Sequence, residues 1–325
     1  MIKPIMNAIK ASAPATVANV SCGFDIFGFA VASPCDEVTL MVRDTPGVVI
    51  TGITGDEGRL PMESDRNTAG VAVREYLRAI GSDQGIGIEL TKNLPLGSGM
   101  GSSAASSVAA LVAINHLMGE PMKRDDLLPF AMEAERVACG SPHADNVAPS
   151  LLGGFVLIRG YEPLDVVRIP TPDELYCTLV HPQLELNTED SRNVLKASIP
   201  LRDAVRQWGN IAGLVTGLMK PDYDLIGRSL HDYIAEPLRS VLIPGFDRIK
   251  KMAVQAGALG AGISGSGPTI FALSVSATIA SKVGTVIREE FEGFRVDSEV
   301  YVSKINLNGA RIEELKIEKS EELKN

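Results

Sequence analysis

Strand-like and helix-like patterns of apolar residues alternate along the first part of the chain. Residues 38–42 and 48–53 are rich in β-branched side chains and are separated by a Thr-Pro-Gly turn, which predicts two strands. From Asn67 through 79, apolar residues recur at helical spacing, and Asn67 is a good helix cap. Residues 86–90 predict another strand, and the apolar segment 102–117 predicts a helix that begins near Ser102.

The rest of the chain continues this alternation. The pattern predicts helices at 125–137 and 277–291, several helices between 191 and 256, and strands at 153–158, 176–180, 262–263, 269–273 and 296–303. Prolines at 163, 170 and 172 mark a change of character, so we predict a domain boundary there, between domains 1–165 and 166–325. The charged segment after Ile312 is predicted to form a surface helix or to fray.

Composition and charge narrow the class of protein. A chain of 325 residues, 45% of them apolar, suggests two packed domains that bury most of their apolar surface without disulfides. The net charge of −9 argues against coating nucleic acid or an anionic membrane. The four cysteines lack CxxC spacing, the N-terminal residues lack a signal-peptide core, and no apolar run reaches membrane-spanning length. We therefore expect a soluble, cytoplasmic protein.

The run Pro95-Leu-Gly-Ser-Gly-Met-Gly-Ser-Ser-Ala-Ala is the most informative part of the sequence. Its alternating glycines let the backbone approach a bulky ligand, and the helix that follows points its free N–H groups and positive dipole end into the loop. The alternative is a flexible turn before a well-capped helix. Three glycines, two serines and a small-residue helix start exceed what a turn needs. We therefore favour a polyphosphate site, in which a serine hydroxyl can also bind Mg²⁺.

Three other kinds of motif do not fit. The loop has no Gly-Lys-Ser/Thr and is not a Walker A loop, and it lacks the Gly-x-Gly-x-x-Gly spacing of protein kinases. That spacing does occur at Gly260, Gly262 and Gly265, but after a helix pattern and before a strand pattern, the reverse of a dinucleotide-binding turn. No Gly-x-Ser-x-Gly elbow is present, which argues against a serine hydrolase.

Together with two further segments, the glycine loop resembles the GHMP kinase superfamily, which includes galactokinase, homoserine kinase and mevalonate kinase. The loop is similar to that family's Gly-Leu-Gly-Ser-Ser-Ala signature, with Met100 in place of leucine. The other segments are Ala13-Pro-Ala-Thr-Val-Ala-Asn-Val-Ser-Cys-Gly-Phe-Asp and Gly260-Ala-Gly-Ile-Ser-Gly-Ser-Gly-Pro. The three occur in the family's order and span nearly the whole chain, so chance does not account for the agreement.

Within that superfamily, three segments resemble the homoserine kinase family. They are the stretch from Asn19 to Asp25, the run His143-Ala-Asp-Asn-Val-Ala-Pro followed by Gly153-Gly154, and the two arginine segments with Arg192 and Arg239. Ser21 stands where that family usually has glycine. We therefore expect a local difference in the turn after Asn19.

The resemblance implies an α+β fold in two domains: an N-terminal domain like domain 2 of ribosomal protein S5 and a ferredoxin-like C-terminal domain. It implies ATP-dependent phosphorylation of the side-chain hydroxyl of L-homoserine, a step of threonine biosynthesis. Mg²⁺ is an expected cofactor, and a homodimer is the expected assembly. Neither nucleic acid nor a membrane is an expected partner.

The resemblance also assigns residues to the nucleotide. The nucleotide-binding set consists of one residue ahead of the loop and the loop itself: Asn67, Pro95, Leu96, Gly97, Ser98, Gly99, Met100, Gly101, Ser102, Ser103 and Ala104. Glu135 is expected to hold Mg²⁺ together with Ser102 or Ser103. From the residues alone, Glu135 is equally explained as an exposed helix carboxylate like Glu133. The expected catalytic residues are Asn146, Glu135 and Ser103.

Homoserine is a zwitterion with a primary alcohol, so its pocket needs groups for a carboxylate, an ammonium and a hydroxyl. The substrate-binding set that the resemblance implies is Asn19, Asp25, His143, Asn146, Thr188, Arg192, Arg239 and Gly265. Arg192 and Arg239 suit the carboxylate, and Asp25 suits the ammonium. Without the resemblance, two solvated arginines and an Asx turn would explain these residues.

Asn146, with help from Asn19, would orient the substrate hydroxyl, and His143 would shape the pocket. Because asparagine accepts no proton at neutral pH, the predicted mechanism relies on alignment and charge stabilisation, and the proton leaves to a phosphate oxygen or to solvent. Two other functions stay open: a GHMP kinase for mevalonate or shikimate, and a nucleotide-binding regulator without turnover. Asp25 with two arginines favours an amino-acid acceptor, and Glu135 with the loop serines favours an enzyme.

Overall fold

In the computed structural model of the chain, the described residues are 2–184, 186, 191, 193–196 and 198–313. Strands β1 to β11 are Ala8–Ala18, Phe27–Arg43, Val48–Thr54, Gly85–Thr91, Phe155–Tyr161, Leu164–Ile169, Tyr176–Pro182, Gly260–Ile263, Ile270–Ser274, Ser298–Lys304 and Arg311–Glu313. Helices α1 to α9 are Thr68–Ala79, Ser102–Leu117, Leu128–Cys139, Val147–Leu152, Leu201–Met219, Tyr223–Ser229, Glu236–Arg239, Phe246–Gln255 and Ala277–Gly293. Short 3-10 turns precede α3 and follow α7.

A seven-stranded sheet organises the N-terminal half. Its strands follow the order β11-β1-β2-β4-β3, and β5 and β6 continue the sheet from the beginning of β2. Strand β2 has 17 residues, so it can pair with β5 through residues 27–29 and with β4 through residues 37–43. Strands β3 and β4 are parallel, and the other pairs are antiparallel. Strand β2 therefore connects the two arms of the sheet.

A four-stranded antiparallel sheet organises the C-terminal half. Its order is β10-β7-β9-β8, and along the chain β7 is followed by helices, then β8, β9, α9 and β10. This connection and strand order form the split β-α-β arrangement of a ferredoxin-like domain. The structure therefore confirms the predicted α+β fold in two domains.

Helix α2 lies between the first sheet and helices α1, α3 and α4. Of its 16 residues, 13 are buried, and such a helix, apolar nearly all round, is typical of a position inside the core. Strand β1 presents small buried side chains such as Ala11 and Ala13 to the same core, which permits close packing. Packing on all sides fixes the N-terminus of α2, where the glycine loop ends.

One hydrophobic core joins the two halves of the chain. It contains most of the buried residues of the first sheet and also Leu214 and Phe271 from the second half. The ring of Phe271 on β9 meets Phe29 on β2 edge-on, with 6.1 Å between the ring centroids. A smaller core, which includes Phe246, lies among α8, α9 and the second sheet. The domain boundary near residue 165 remains a prediction, and strand β11 returns from the second half to the first sheet.

Most predicted elements are present with close bounds. Helix α1 begins after Asn67, whose side-chain oxygen accepts the N–H of Ala69 at 3.1 Å, and α2 spans the predicted residues. The predicted strand at 153–158 begins only at Phe155, because Gly153 and Gly154 have φ values of 75° and 68° and form a turn. The pattern misses β1, β6, β11 and the short helix α4.

Two further expectations concern the charged C-terminal segment and membrane-spanning segments. The charged segment after residue 313 lies outside the described residues. None of the helices within the described ranges combines the length and hydropathy of a membrane-spanning segment.

Candidate active site

A cavity of about 520 Å³ opens where the glycine loop, residues 95–101, meets the C-terminal half. Parts of five stretches, 18–25, 60–68, 90–106, 135–146 and 265–266, line it together with Arg239. Most of the predicted site residues meet here, although they come from distant parts of the chain. Those that line the cavity are Asn19, Asp25, Asn67, Leu96, Gly97, Ser98, Gly99, Gly101, Ser102, Ser103, Glu135, His143, Asn146, Arg239 and Gly265.

Five predicted residues remain, three within the described residues and two outside them. Met100 and Ala104 belong to the hydrophobic core, and Pro95 lines a neighbouring cavity. Thr188 and Arg192 lie outside the described residues. The roles assigned to the predicted site residues, these five included, stay predictions.

The first turn of α2 borders the cavity with backbone amides. Gly101 is the N-cap residue with φ 71°, and within the described part of the chain no side chain caps this terminus. The absence of a side chain at Gly101 is required, because a Cβ there would lie 2.1 Å from Thr16 Oγ1 and 2.9 Å from Asn146 Oδ1. Gly99, with φ 79°, is as tightly packed, since its Cβ would lie 2.4 Å from the carbonyl oxygen of Ser264. Uncapped amides and the helix dipole make this end favourable for a negative charge.

A buried ion pair lies beneath the glycine loop, and no sequence pattern indicates it. Lys92, directly after β4, pairs with Asp36 of β2, and each side chain is only 1% exposed. Burial lowers the pKa of the Lys92 ammonium, and contact with Asp36 opposes that shift. Lys92 Nζ also donates to the carbonyl oxygen of Ser102 at 2.9 Å and to Ser106 Oγ at 2.6 Å. This pair therefore places a charged group against the first turns of α2.

Of the neighbouring carboxylates Glu133 and Glu135, only Glu135 lines the cavity. Glu135 is buried, and burial raises its pKa to about 7, while a hydrogen bond with Ser103 and the charge of Lys92 lower it. Glu133 lies nearer the surface and accepts two hydrogen bonds from Arg136. The interpretation of Glu135 as an exposed helix carboxylate is therefore excluded.

The two loop serines face different partners. The Ser103 side chain is hydrogen-bonded to Glu135, whereas the Ser102 hydroxyl lies 3.4 Å from both Asp36 Oδ2 and the carbonyl oxygen of Leu94. Among the residues that the structure describes, no three His, Cys, Asp or Glu side chains converge in a metal-binding cluster. A carboxylate and a hydroxyl beside an anion site nevertheless fit Mg²⁺, which prefers oxygen ligands and often binds through one carboxylate and substrate phosphates.

The turn after β1 has a strained backbone. Asn19, Val20 and Ser21 have φ values of 68°, 42° and 58°, a region that is especially costly for a β-branched residue such as valine. Asn19 Nδ2 donates to the carbonyl oxygen of Gly265 at 2.8 Å, and Asn19 Oδ1 accepts the N–H of Asp25 at 2.9 Å. Both ends of this amide therefore hold the turn in place. Its predicted contact with the substrate hydroxyl stays a prediction.

Asp25 and His143 lie side by side in the cavity wall. Asp25 Oδ1 is 3.9 Å from His143 Nδ1, and the two side chains are 24% and 21% exposed. The backbone of Asp25 is fixed by the hydroxyl of Tyr161, which donates to its carbonyl oxygen at 2.8 Å. A carboxylate that is fixed at its backbone and still reachable suits an ammonium partner.

Asn146 stands at the start of α4, and the residue before it, Asp145, has no role in the predicted site. The hydroxyl of Thr16 donates to Asn146 Oδ1 at 2.7 Å, so the amide can offer its N–H groups to a ligand. Asp145 is buried and lines the same cavity. Its signal in the sequence is its place beside Asn146, inside the run from His143 to Pro149.

Arg239 is buried in the cavity wall, with 4% of its surface exposed. Its Nε donates to the carbonyl oxygen of Ser191 at 2.9 Å, and its Nη1 donates to that of Gly265 at 3.1 Å. The guanidinium group also lies over the ring of Phe24, 5.2 Å from the centroid. The alternative of a solvated surface arginine is therefore wrong for Arg239.

Comparison with known proteins identifies the family. Residues 67–154 match the GHMP kinases N terminal domain, and residues 214–293 match the GHMP kinases C terminal domain. The homoserine kinase of Chlorobium phaeobacteroides is 50% identical over 319 residues, which cover 94% of this chain and 100% of that relative. The chain belongs to the homoserine kinase family. The resemblance inferred from the sequence is thereby confirmed.

Solved structures agree with membership of the homoserine kinase family. The crystal structure of homoserine kinase from Cytophaga hutchinsonii matches with a TM-score of 0.93 and 57% identity, over 96% of this chain and 99% of that one. L. major mevalonate kinase in complex with R-mevalonate matches with a TM-score of 0.72 at 17% identity. The second match shows a shared fold alone.

Proposed function

We propose that this chain transfers the γ-phosphoryl group of ATP to the side-chain hydroxyl of L-homoserine and releases ADP and O-phospho-L-homoserine, in threonine biosynthesis. The observation that carries the proposal is the near-full-length identity of 50% with homoserine kinases. The cavity supports it, because an anion site at the glycine loop and the side chains of Asp25 and Arg239 line the same space.

The phosphates would bind at the glycine loop. The amides of the first turn of α2 and the helix dipole would stabilise their negative charge. An acidic protein can bind ATP in this way because backbone N–H groups, not a basic surface, supply the attraction. The nucleoside would extend along the cavity wall formed by Leu60, Asn67 and Leu96.

Glu135 and Ser103 would hold Mg²⁺ beside the phosphates. When bound, the cation neutralises charge on the phosphoryl oxygens and orients them. Glu135, whose pKa is raised by burial, would be ionised next to a cation because an opposite charge favours the carboxylate. Ser102 is the weaker candidate ligand, since its hydroxyl is directed toward Asp36 and Leu94.

On the acceptor side, Arg239 would bind the substrate carboxylate and Asp25 its ammonium group. Thr188 and Arg192 would complete this pocket, and His143 would fix its width beside Asp25. A buried guanidinium group is a strong carboxylate partner because little water competes for it. Mevalonate has no ammonium group and would leave Asp25 without its ligand.

Asn146, whose amide is held in place by Thr16, would donate an N–H to the acceptor hydroxyl. The hydroxyl oxygen forms a bond to the γ-phosphorus while the bond from that phosphorus to the β,γ-bridging oxygen breaks. The hydroxyl proton leaves to a phosphate oxygen or to solvent, which a loose transition state permits. Asp145 is the other group that could receive the proton, because it is a carboxylate next to Asn146.

A coupled ADP-release assay with L-homoserine, L-serine, L-threonine and mevalonate tests the proposed activity. We expect the highest kcat/KM with L-homoserine. Turnover of mevalonate but not of L-homoserine would make the chain a GHMP kinase of another specificity. ATP binding without ADP release in the presence of every acceptor would identify a regulator.

Two variants test the path of the proton. We expect Asn146→Ala to lower kcat about 10²-fold, because the hydroxyl loses its orientation. Asp145→Asn should lower kcat/KM and leave the acid limb of the pH–rate profile in place. If that limb disappears in Asp145→Asn, Asp145 is the general base and the alignment mechanism is wrong.

We further propose that the enzyme is cytoplasmic and acts as a homodimer, as the family resemblance implies. Light scattering coupled to gel filtration measures the assembly directly. A monomeric mass at assay concentrations would contradict the homodimer and leave the proposed reaction unaffected.

A further inference from the structure

Both ends of the glycine loop converge on the buried pair of Asp36 and Lys92. At the start of the loop, Asp36 Oδ1 accepts the N–H groups of Asn93 and Leu94 at 2.8 and 2.9 Å. At its end, Lys92 Nζ donates to the carbonyl oxygen of Ser102. The two charged side chains are in direct contact with each other. The chain therefore leaves this ion pair, forms the loop and returns to it.

The contacts continue one turn into α2. Ser106 Oγ accepts a hydrogen bond from Lys92 Nζ at 2.6 Å and donates to the carbonyl oxygen of Ser102 at 3.3 Å. Lys92 thus holds the carbonyl oxygen of Ser102 both directly and through the Ser106 hydroxyl. Asp36 holds the backbone that enters the loop. The distance between the backbone at Asn93 and Leu94 and the backbone at Ser102 sets the orientation of the loop amides.

We propose that Asp36 and Lys92 are positioning residues for phosphoryl transfer, which fix the entry and the exit of the glycine loop so that its amides and Ser103 meet the phosphates correctly. This inference rests on the proposed kinase function. Asp36 and Lys92 act through the loop backbone rather than on the acceptor, so their effect should appear in kcat and in the KM for ATP. The KM for L-homoserine should change little.

A buried ion pair has two separable effects on a protein. Removal of one partner leaves an unpaired buried charge and destabilises the fold strongly, whereas replacement of both partners by neutral groups of similar shape is often well tolerated. In Asp36→Asn/Lys92→Met, the new amide oxygen can still accept the N–H groups of Asn93 and Leu94. The Ser102 carbonyl oxygen and the Ser106 hydroxyl, in contrast, lose the hydrogen bonds that Lys92 donates to them.

The test compares this double variant with the wild-type chain and with each single variant. We expect each single variant to lower the urea midpoint clearly and the double variant to recover most of that loss. The double variant should nevertheless keep a kcat at least about tenfold below wild type and a raised KM for ATP. A double variant that recovers stability, kcat and the KM for ATP together would show a purely structural pair and overturn the proposal.

A milder pair of variants covers the case in which the double variant does not fold. Ser106→Ala removes one contact of Lys92, whereas Ser107→Ala removes a buried hydroxyl of the same helix that donates to the carbonyl oxygen of Ala104 at 3.0 Å. We expect Ser106→Ala to raise the KM for ATP at least about threefold and Ser107→Ala to change it by less than about twofold. Equal effects of the two changes would contradict the proposal.

The two proposals can fail separately. If the wild-type chain does not phosphorylate L-homoserine, the proposed function is wrong, whatever the variants do. If the wild-type chain is active and the double variant is equally active, only the positioning role is wrong.

Discussion

Asn19 holds an unfavourable backbone conformation through its own side chain. Its φ is 68°, and its amide bonds to Gly265 and Asp25. Alanine at this position would lose both hydrogen bonds and keep the strain, whereas glycine would lose the bonds and relieve the strain. We expect Asn19→Ala to lower the free energy of unfolding by about 3 kcal/mol and Asn19→Gly by about 2 kcal/mol. Urea denaturation of the two variants measures the difference.

Equal losses for the two Asn19 variants would mean that the backbone is not strained there. Activity gives an independent readout, because Asp25, the proposed ammonium partner, donates its backbone N–H to Asn19 Oδ1 and is positioned by this bond. Both variants should raise the KM for L-homoserine and leave the KM for ATP within about twofold of wild type.

Glu135 connects stability with pH. Its pKa of about 7 in the folded chain exceeds its ordinary value of 4.5, chiefly because of burial. As pH rises, the Glu135 carboxyl group loses its proton in the unfolded chain before it does so in the folded chain. Between the unfolded pKa of 4.5 and the folded pKa of about 7, Glu135 therefore destabilises the fold increasingly, by about 3 kcal/mol in total. We expect Glu135→Gln in metal-free buffer to be more stable than wild type at about pH 8, and of similar stability at about pH 4. Urea midpoints at the two pH values measure this.

Glu133→Gln is the matched control for Glu135→Gln. It lies on the same helix, but its pKa is lowered by the hydrogen bond from Arg136, so its neutralisation should give no gain at about pH 8. The kcat should fall at least about 10²-fold in Glu135→Gln and hardly at all in Glu133→Gln, because only Glu135 lines the cavity where we propose that the phosphates bind. A stabilised Glu135→Gln variant with full kcat would remove Glu135 from the mechanism.

Individual residues could be predicted from the sequence where their effect is local. Asn67 caps the helix that follows it, and the glycines of the loop adopt left-handed conformations within the same short segment. Asp36 and Lys92 are 56 positions apart, and they become opposite one another only because β2 and β4 pair with Glu37 against Thr91. No local pattern encodes that register, so this buried pair could not be found before the sheet was known.

At the scale of elements, the junction of loop and helix can be tested with two glycines. Gly97 and Gly101 both have left-handed backbone, with φ values of 66° and 71°. A Cβ at Gly97 would meet nothing within 4 Å, whereas at Gly101 it would collide with Thr16 and Asn146. We expect Gly97→Ala to cost about 1 kcal/mol of unfolding free energy and Gly101→Ala at least about 3 kcal/mol. Urea denaturation of both variants measures these losses.

The same two variants separate backbone strain from damage to the site. Because the methyl group of Gly101→Ala would break the contact between Thr16 and Asn146, its kcat should fall at least about tenfold further than that of Gly97→Ala. Similar kcat values in the two variants would show that this contact is not needed for turnover.

Helices α1 and α2 could be predicted because a cap or a long apolar run marks each of them. Strand β1 could not, because four of its nine buried residues are alanines, which have low strand propensity. Ala11, Ala13 and Ala15 suit β1 for a tertiary reason, the close approach of α2. The sequence therefore indicates elements with strong local signals and omits those selected by packing.

For the whole molecule, the shared core predicts cooperative unfolding. Phe271 of the second sheet is fully buried and packs on Phe29 of the first. We expect Phe271→Ala to lower the free energy of unfolding by about 3–5 kcal/mol and to leave a single transition, because both halves depend on this core. Calorimetry should give equal calorimetric and van't Hoff enthalpies for the wild-type chain.

Val241→Ala is the control for Phe271→Ala, because Val241 is 79% exposed. This substitution should change the unfolding free energy by less than about 0.5 kcal/mol. Two resolved transitions in the wild-type chain would contradict the shared core and would support independent domains near the predicted boundary.

Strand β11 covers the outer edge of β1, with Lys10 opposite Glu313. The Ser12 hydroxyl donates to the Glu313 carboxylate at 2.6 Å, although the two residues are 301 positions apart in the sequence. At about 5–20 residues per second, a ribosome would need roughly 15–60 s to make the intervening chain. During that time the nascent β1 presents an uncovered strand edge, which other chains can pair with. Translation speed and early chaperone binding, rather than the stability of the finished enzyme, should therefore decide how much of it escapes aggregation.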